Sequence, residues 1–205
     1  VTPYRPSAAD TARAELRSEL LEVALAAAGQ GVWDYDIAAD RPTWDAKTYE
    51  LFDQPVGTAL SFDRVVGEMI HPEDRERVIH AAQAAMDPRG DANYFVDHRI
   101  LTRDGSERWV AVTGRVLFEG IGATRRPVRM LGTVRDITCR RRSAEALRES
   151  RDLMKLALAA GGMGVWRTDF ESGRAECDAT ARRLFGLEGG ASEVLLNDVE
   201  ARIHP

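Results

Sequence analysis

An α+β domain built on an antiparallel sheet is what this sequence predicts, and three observations carry that expectation. Apolar residues recur at helical spacing up to Met86 and then alternate in twos from Tyr94 to Ile137. The alternating runs are separated by Arg103-Asp104-Gly105 and by a loop around Gly120 to Arg126. Asp-Gly is a strong hairpin signal, and consecutive hairpins make an antiparallel sheet. The third observation is repetition. Residues Leu20 to Pro72 align without a gap on Leu153 to Pro205, at a constant offset of 133 and with 20 of 53 positions identical. That offset far exceeds the roughly 20–50 residue period of solenoids, so it marks a duplicated domain.

The first element expected is an amphipathic helix from about Ala9 to Ala28, with Leu16, Leu20, Val23 and Ala27 on one face, ended by Gly29 and Gly31. The run Gly31 to Ile37 reads as a strand, and a turn at Ala39-Asp40 leads to a short strand at Pro42 to Trp44. Asp45 is placed to cap a helix carrying Tyr49 and Phe52. Ser61 is placed to cap a second, with Phe62, Val65, Val66 and Met69 at helical spacing. At His71-Pro72-Glu73-Asp74 a helix restarts, since proline suits the first position and acids suit the positive end of the dipole. Its buried stripe is expected at Val78 or Ile79, Ala82 and Met86. Long strands follow at Tyr94 to Thr102, Glu107 to Phe118 and Val128 to Ile137. Thr138 is expected to cap a stiff helix from about Arg140 to Ala160, which has no Gly or Pro before Gly161.

Composition narrows the function. The chain has 205 residues, 44% of them hydrophobic, with 28 Lys+Arg against 33 Asp+Glu for a net charge of −5. An acidic balance argues against general nucleic-acid binding. No run approaches the roughly 20 apolar residues of a membrane span, and no charged-then-apolar leader opens the sequence. The two cysteines, Cys139 and Cys177, form no framework, so a reduced cytoplasmic setting is expected. Phosphate loops, nucleophile elbows and zinc-protease motifs are absent, so no residue is assigned a catalytic or metal-binding role.

Four motifs in order give the pattern a family. They are GVWDYD on the first strand, IHPEDR entering the last short helix, RILTRDGSERWV across the hairpin, and GTVRDIT ending the final strand. Together they resemble the PAS sensor domain, fully over residues 20–138 and partly over 153–205. The resemblance implies a five-stranded antiparallel sheet with short helices on one face and a cavity between. It implies a sensory or relay module whose output lies elsewhere in the protein: a histidine kinase in the first reading, with a cofactor-binding redox or gas sensor and the sensory region of a cyclic-dinucleotide enzyme as alternatives. The domain layout is then a helical arm at 1–19, the PAS domain at 20–138, a connector at 139–152 whose helix continues to about 160, and a truncated second PAS part at 153–205.

Candidate sites follow from the same frame. Trp33, Trp44, Tyr49, Phe52, Phe95, Ile100 and Trp109 are expected to form or border the core, and all of these but Phe95, together with His98, are cavity candidates. His98 is expected to be a hydrogen-bonded core histidine, and His71 and its copy His204 to bond backbone at a helix start. Asp136, Ile137 and Thr138 form the family's junction between sheet and signalling helix, where an Asp and a Thr can hold the first free amides. The Arg140-Arg141-Arg142 run is read as a solvated face interacting with acids such as Asp136. A homodimer is expected through Leu16, Leu20 and Val23, and through Leu147 and Met154. No cofactor is assigned, although a small-molecule ligand fits the frame. His80, on the helix that supplies the axial ligand in haem-binding relatives, falls beside the inward stripe. The complete copy also lacks the helix cysteine that covalent flavin photochemistry needs. A module that binds nothing is the rival reading, and a core without a cavity of roughly 300 Å3 favours it.

Overall fold

The computed structural model describes residues 8–187 and 193–195, in two compact units that divide between Arg141 and Arg142. His204 and the second IHP block lie outside the described residues.

The first unit opens with α1 (Ala8–Ala27), on which Leu16, Leu20 and Val23 are exposed. Five strands follow in the order of the chain: β1 (Gln30–Asp36), β2 (Arg41–Trp44), β3 (Asn93–Leu101), β4 (Glu107–Glu119) and β5 (Arg126–Asp136). They form one antiparallel sheet in the order β2-β1-β5-β4-β3. The central pairing of β1 with β5 joins residues about a hundred positions apart, so the sheet closes only when both ends of the unit have folded.

Between β2 and β3 the chain forms α2 (Ala46–Leu51), a short turn α3 (Phe62–Arg64) running into a π-helical turn at Val65–Met69, a 3-10 turn at Pro72–Asp74 and α4 (Arg75–Met86). Asp45 caps α2 by accepting from Thr48 N at 2.7 Å, and Ser61 caps α3 by accepting from Arg64 N at 3.2 Å. The expected helix over 61–70 is thus a π turn, which re-aims Val66 and Met69 into the core. His71 Nδ1 accepts from Glu73 N, the backbone role its place before proline suggests. On α4 the buried stripe is Val78, Ala82 and Ala85, with Ile79 turned outward.

These helices pack on one face of the sheet, whose inward residues alternate along each strand. On β3 they are Tyr94, Val96, His98 and Ile100, and on β4 Val110, Val112 and Val116. Phe95, expected near the core, points the other way and is 68% exposed, because period-two geometry puts it on the face opposite Tyr94.

After β5 comes α5 (Thr138–Ala160), on which Leu147 and Met154 are exposed. The second unit contains β6 (Trp166–Asp169), β7 (Arg174–Cys177), α6 (Ala179–Leu184) and β8 (Glu193–Leu195), with sheet order β6-β7-β8. Among the described residues no helix is long and apolar enough to cross a membrane.

Candidate functional site

Two constructions in the first unit stand out, one on each face of its sheet. The first is a cavity of about 100 Å3 between sheet and helices, below the roughly 300 Å3 of a ligand pocket, a size that favours the reading of a module that binds nothing. Of the cavity candidates, Trp33, Trp44, Phe52 and His98 line it, whereas Tyr49, Ile100 and Trp109 do not. Tyr49 packs edge-on against Trp44 and donates its hydroxyl to Thr58 O at 3.3 Å. Ile100 is fully buried beside the bridge it makes to Ile70.

The position of Trp33 depends on a missing side chain. Its ring lies over Gly114 of β4, where a Cβ would sit 2.6 Å from the indole carbon Cζ2. Tyr94 meets the same ring edge-on at 5.9 Å between centroids. The cavity wall is otherwise apolar, with Val112, Met130 and Val134 from the sheet and Val78 and Ala82 from α4.

His98 departs from expectation. It is 2% exposed, and neither ring nitrogen has a hydrogen-bond partner among the described residues. Burial pushes its pKa down to about 4, against the attraction of Asp74, so the ring is neutral at pH 7. Trp33 Nε1 is likewise buried and unpartnered. The Thr48 hydroxyl, also on the wall, is satisfied by Val32 O at 2.9 Å.

The second construction anchors α5 to the outer face. Trp109, placed in the cavity by the sequence reading, is on the opposite face because its neighbours Val110 and Val112 take the inward positions. Its backbone holds the start of the helix: Thr138 Oγ1 accepts from Trp109 N at 2.9 Å, and Trp109 O accepts from Ile137 N at 2.9 Å. The Arg141 guanidinium lies over the indole at 3.8 Å from its centroid, and Arg99 lies at 5.6 Å. Arg141 also pairs with Asp97 at 3.4 Å.

Asp136 accepts from Thr138 N at 2.7 Å and pairs with Arg108 at 3.5 Å. Two expectations change here. Thr138 spends its hydroxyl on β4 rather than on helix amides, and the arginine run meets Asp97, not Asp136.

Asp74 and Arg99 are functional-looking residues the sequence reading did not single out as a pair. Asp74 is 5% exposed and accepts from Arg99 N at 2.8 Å, Arg99 Nε at 3.0 Å and Arg77 Nη2 at 2.9 Å. Burial alone would raise its pKa, but these bonds outweigh burial and hold the carboxyl well below the usual range. Arg99 is therefore fixed by the 3-10 turn on one side and faces Trp109 on the other. No signal at the level of spacing joins residues 25 positions apart.

An antiparallel five-stranded sheet, small helices enclosing a cavity on one face, and an exit helix tied to the other make up an α+β module. Residues 41–134 match the family model described as PAS fold, and the first unit is a PAS domain. The chain is 28% identical to a sensory box histidine kinase/response regulator from Burkholderia thailandensis E264, whose structure superposes with a TM-score of 0.54 over 66% of this chain and 97% of that one. It is also 28% identical, over 149 residues, to the Probable diguanylate cyclase DgcE of Escherichia coli (strain K12). That match covers 72% of this chain, which spans only 13% of the relative's length.

Proposed function

We propose that this PAS domain relays the state of its interior cavity to α5 through the Trp109 anchor, and that α5 passes the change to an output domain elsewhere in the same protein. The observation that carries this reading is the triple attachment of one residue of β4 to the helix start. Two hydrogen bonds to the Trp109 backbone, from Ile137 N and to Thr138 Oγ1, and a stacked guanidinium leave little freedom for β4 to shift without moving Thr138 to Arg141. Asp136 adds a fourth tie through Thr138 N.

The output is a histidine kinase in the first reading, supported by the name of the Burkholderia relative, whose solved chain matches 66% of this one. A cyclic-dinucleotide enzyme is the second, supported by the Escherichia relative. A homodimer through the exposed residues Leu16, Leu20 and Val23, and through Leu147 and Met154, suits either output.

Arg141→Ala tests the relay. In the full-length protein it is expected to shift basal output at least about threefold, and in this chain to speed amide exchange at residues 139–142. The thermal midpoint of the first unit should fall by no more than about 4 °C, because the pair with Asp97 is exposed. Unchanged output alongside faster exchange would overturn the relay.

A further inference from the structure

One row of the sheet joins two helical segments of the first unit. Arg99 of β3 stands directly opposite Trp109 of β4. Both backbone groups of Arg99 face away from β4. Its N–H donates to Asp74 Oδ2 at 2.8 Å, and its carbonyl accepts from His71 N at 3.0 Å. Both backbone groups of Trp109 face away from β3, toward Ile137 and Thr138. The two residues are therefore a non-hydrogen-bonded pair, the kind whose side chains approach most closely. The turn at 71–74 holds one end of this row and the start of α5 holds the other. In the middle the connection is made by side chains.

The Arg99 guanidinium donates to Asp74 at 3.0 Å and to Glu73 at 2.8 Å, and it lies within cation–π range of the Trp109 ring on which Arg141 is seated. Asp74 is buried, and a buried carboxylate is costly to separate from its cations. It also accepts from Arg77, in the first turn of α4, at 2.9 Å. The helix α4 begins at the residue after Asp74 and presents Val78, Ala82 and Met86 to the cavity. A displacement of α4 thus reaches Arg99 through a buried ion pair.

On the reading of Trp109 as the anchor of the relay, we propose that the input to that anchor comes from α4. Movement of α4 carries Asp74, Asp74 carries Arg99, and Arg99 resets the Trp109 ring beneath Arg141. Asp74 and Arg99 are positioning residues, which act on α5 through Trp109. The sheet wall of the cavity, at Val112 and Val134, stands outside this route. Any change in the packing of α4 serves as the signal, with no ligand required, which suits a cavity of about 100 Å3. Substitutions joined by such a route have effects that do not add.

Double-mutant cycles on the whole chain test this route. The readout is hydrogen exchange at the Arg141 amide, which donates to Ile137 O at 2.9 Å, relative to exchange at the amides of β5. Ala82→Gly loosens α4 at the cavity wall, and Val112→Ala loosens the sheet wall. Arg99→Lys keeps the charge beside Asp74 while removing the planar fork. Ala82→Gly is expected to speed exchange at Arg141 at least about threefold more than at β5, and to lose that excess in the Arg99→Lys background. Val112→Ala is expected to act equally in both backgrounds. The same excess from Ala82→Gly in both, or no excess in either, would overturn the route. A Val112→Ala effect that also depends on Arg99 would make Arg99 a general brace and sink α4 as the source. The Trp109 indole N–H, assigned in NMR spectra by its loss in Trp109→Phe, is expected to shift with Ala82→Gly. An unmoved signal counts against the route whether or not the Arg99→Lys chain folds. A changed output in Arg141→Ala beside additive cycles would keep the relay and remove α4 as its input.

Discussion

The two copies of the repeated segment share their local structure from the end of β1 to α2 and differ in burial. At the offset of 133, β6 matches the end of β1, β7 matches β2, and α6 matches α2 residue for residue. Asp45 and Asp178 cap their helices with the same 2.7 Å bond, to Thr48 N and Ala181 N. Gly31 and Gly164 both press against the following helix, so closely that a Cβ would come within 2.3 Å of Thr48 or Ala181.

The fate of the large side chains separates them. Leu51 is 5% exposed and its copy Leu184 65%; Trp33 is half-buried and its copy Trp166 56% exposed. In the first unit β1 lies between β2 and β5, and its inward residues meet a full sheet and three helical segments. In the second, β7 is central and pairs with β8, although the positions matching β8 in the first copy enter a helix. Among the described residues its buried cluster is Ala175, Cys177 and Ala181, with Phe185, Leu187 and Val194 against it. Capping and turn chemistry act within a few residues and survive duplication. A hydrophobic core is assembled from strands far apart in the chain, and the described part of the second copy holds only the positions that match β1, β2 and α2 and the three that form β8.

Paired substitutions put this contrast under strain. The largest effect is expected from Leu51→Ala, which should destabilise the first unit by about 2–5 kcal/mol, whereas Leu184→Ala should change the second by less than about 0.5 kcal/mol. Residue-level hydrogen exchange reads each unit separately, which a single melting curve over two units does not. Comparable losses would mean that Leu184 is buried in solution.

Acid should come next, and should act on the first unit alone. The folded pKa of His98, about 4, lies below the ordinary 6.5, so the unfolded chain binds a proton that the fold refuses. Stability present at pH 7 is lost as pH falls from about 6.5 to about 4, by on the order of 3 kcal/mol. No other described group has its shift centred in that window, and the described second unit has no histidine. His98→Leu should flatten the curve, measured as unfolding free energy at several pH values.

The smallest effect is the most direct comparison. Asp45→Ala and Asp178→Ala should each weaken their own helix by about 1 kcal/mol, since the cap bond is the same in both. A marked inequality in exchange protection would show that local equivalence is less complete than the geometry suggests.

Several misplaced side chains were within reach of the sequence. Val110, Val112 and Val116 define the inward register of β4, and that register sends Trp109 outward; Tyr94, Val96 and Ile100 do the same for Phe95. Alternation outranks aromatic character there because one face of each strand is already filled. The cavity was only partly legible. That Trp33, Trp44, Phe52 and His98 share it depends on β1, β2, α2 and β3 converging, and that Trp33 fits depends on the absence of a side chain at Gly114.

By itself the sequence determined most of the elements, the Asp45 and Ser61 caps, the hairpins and the duplication, because each rests on interactions among residues close in the chain. Only the tertiary structure decided which face Trp109 serves, which partners Asp74 and Arg141 take, and that His98 is buried. Those outcomes depend on how β1, β3, β4 and β5 come together across about a hundred residues, and the energy of a buried contact or an unmade hydrogen bond exists only once they have.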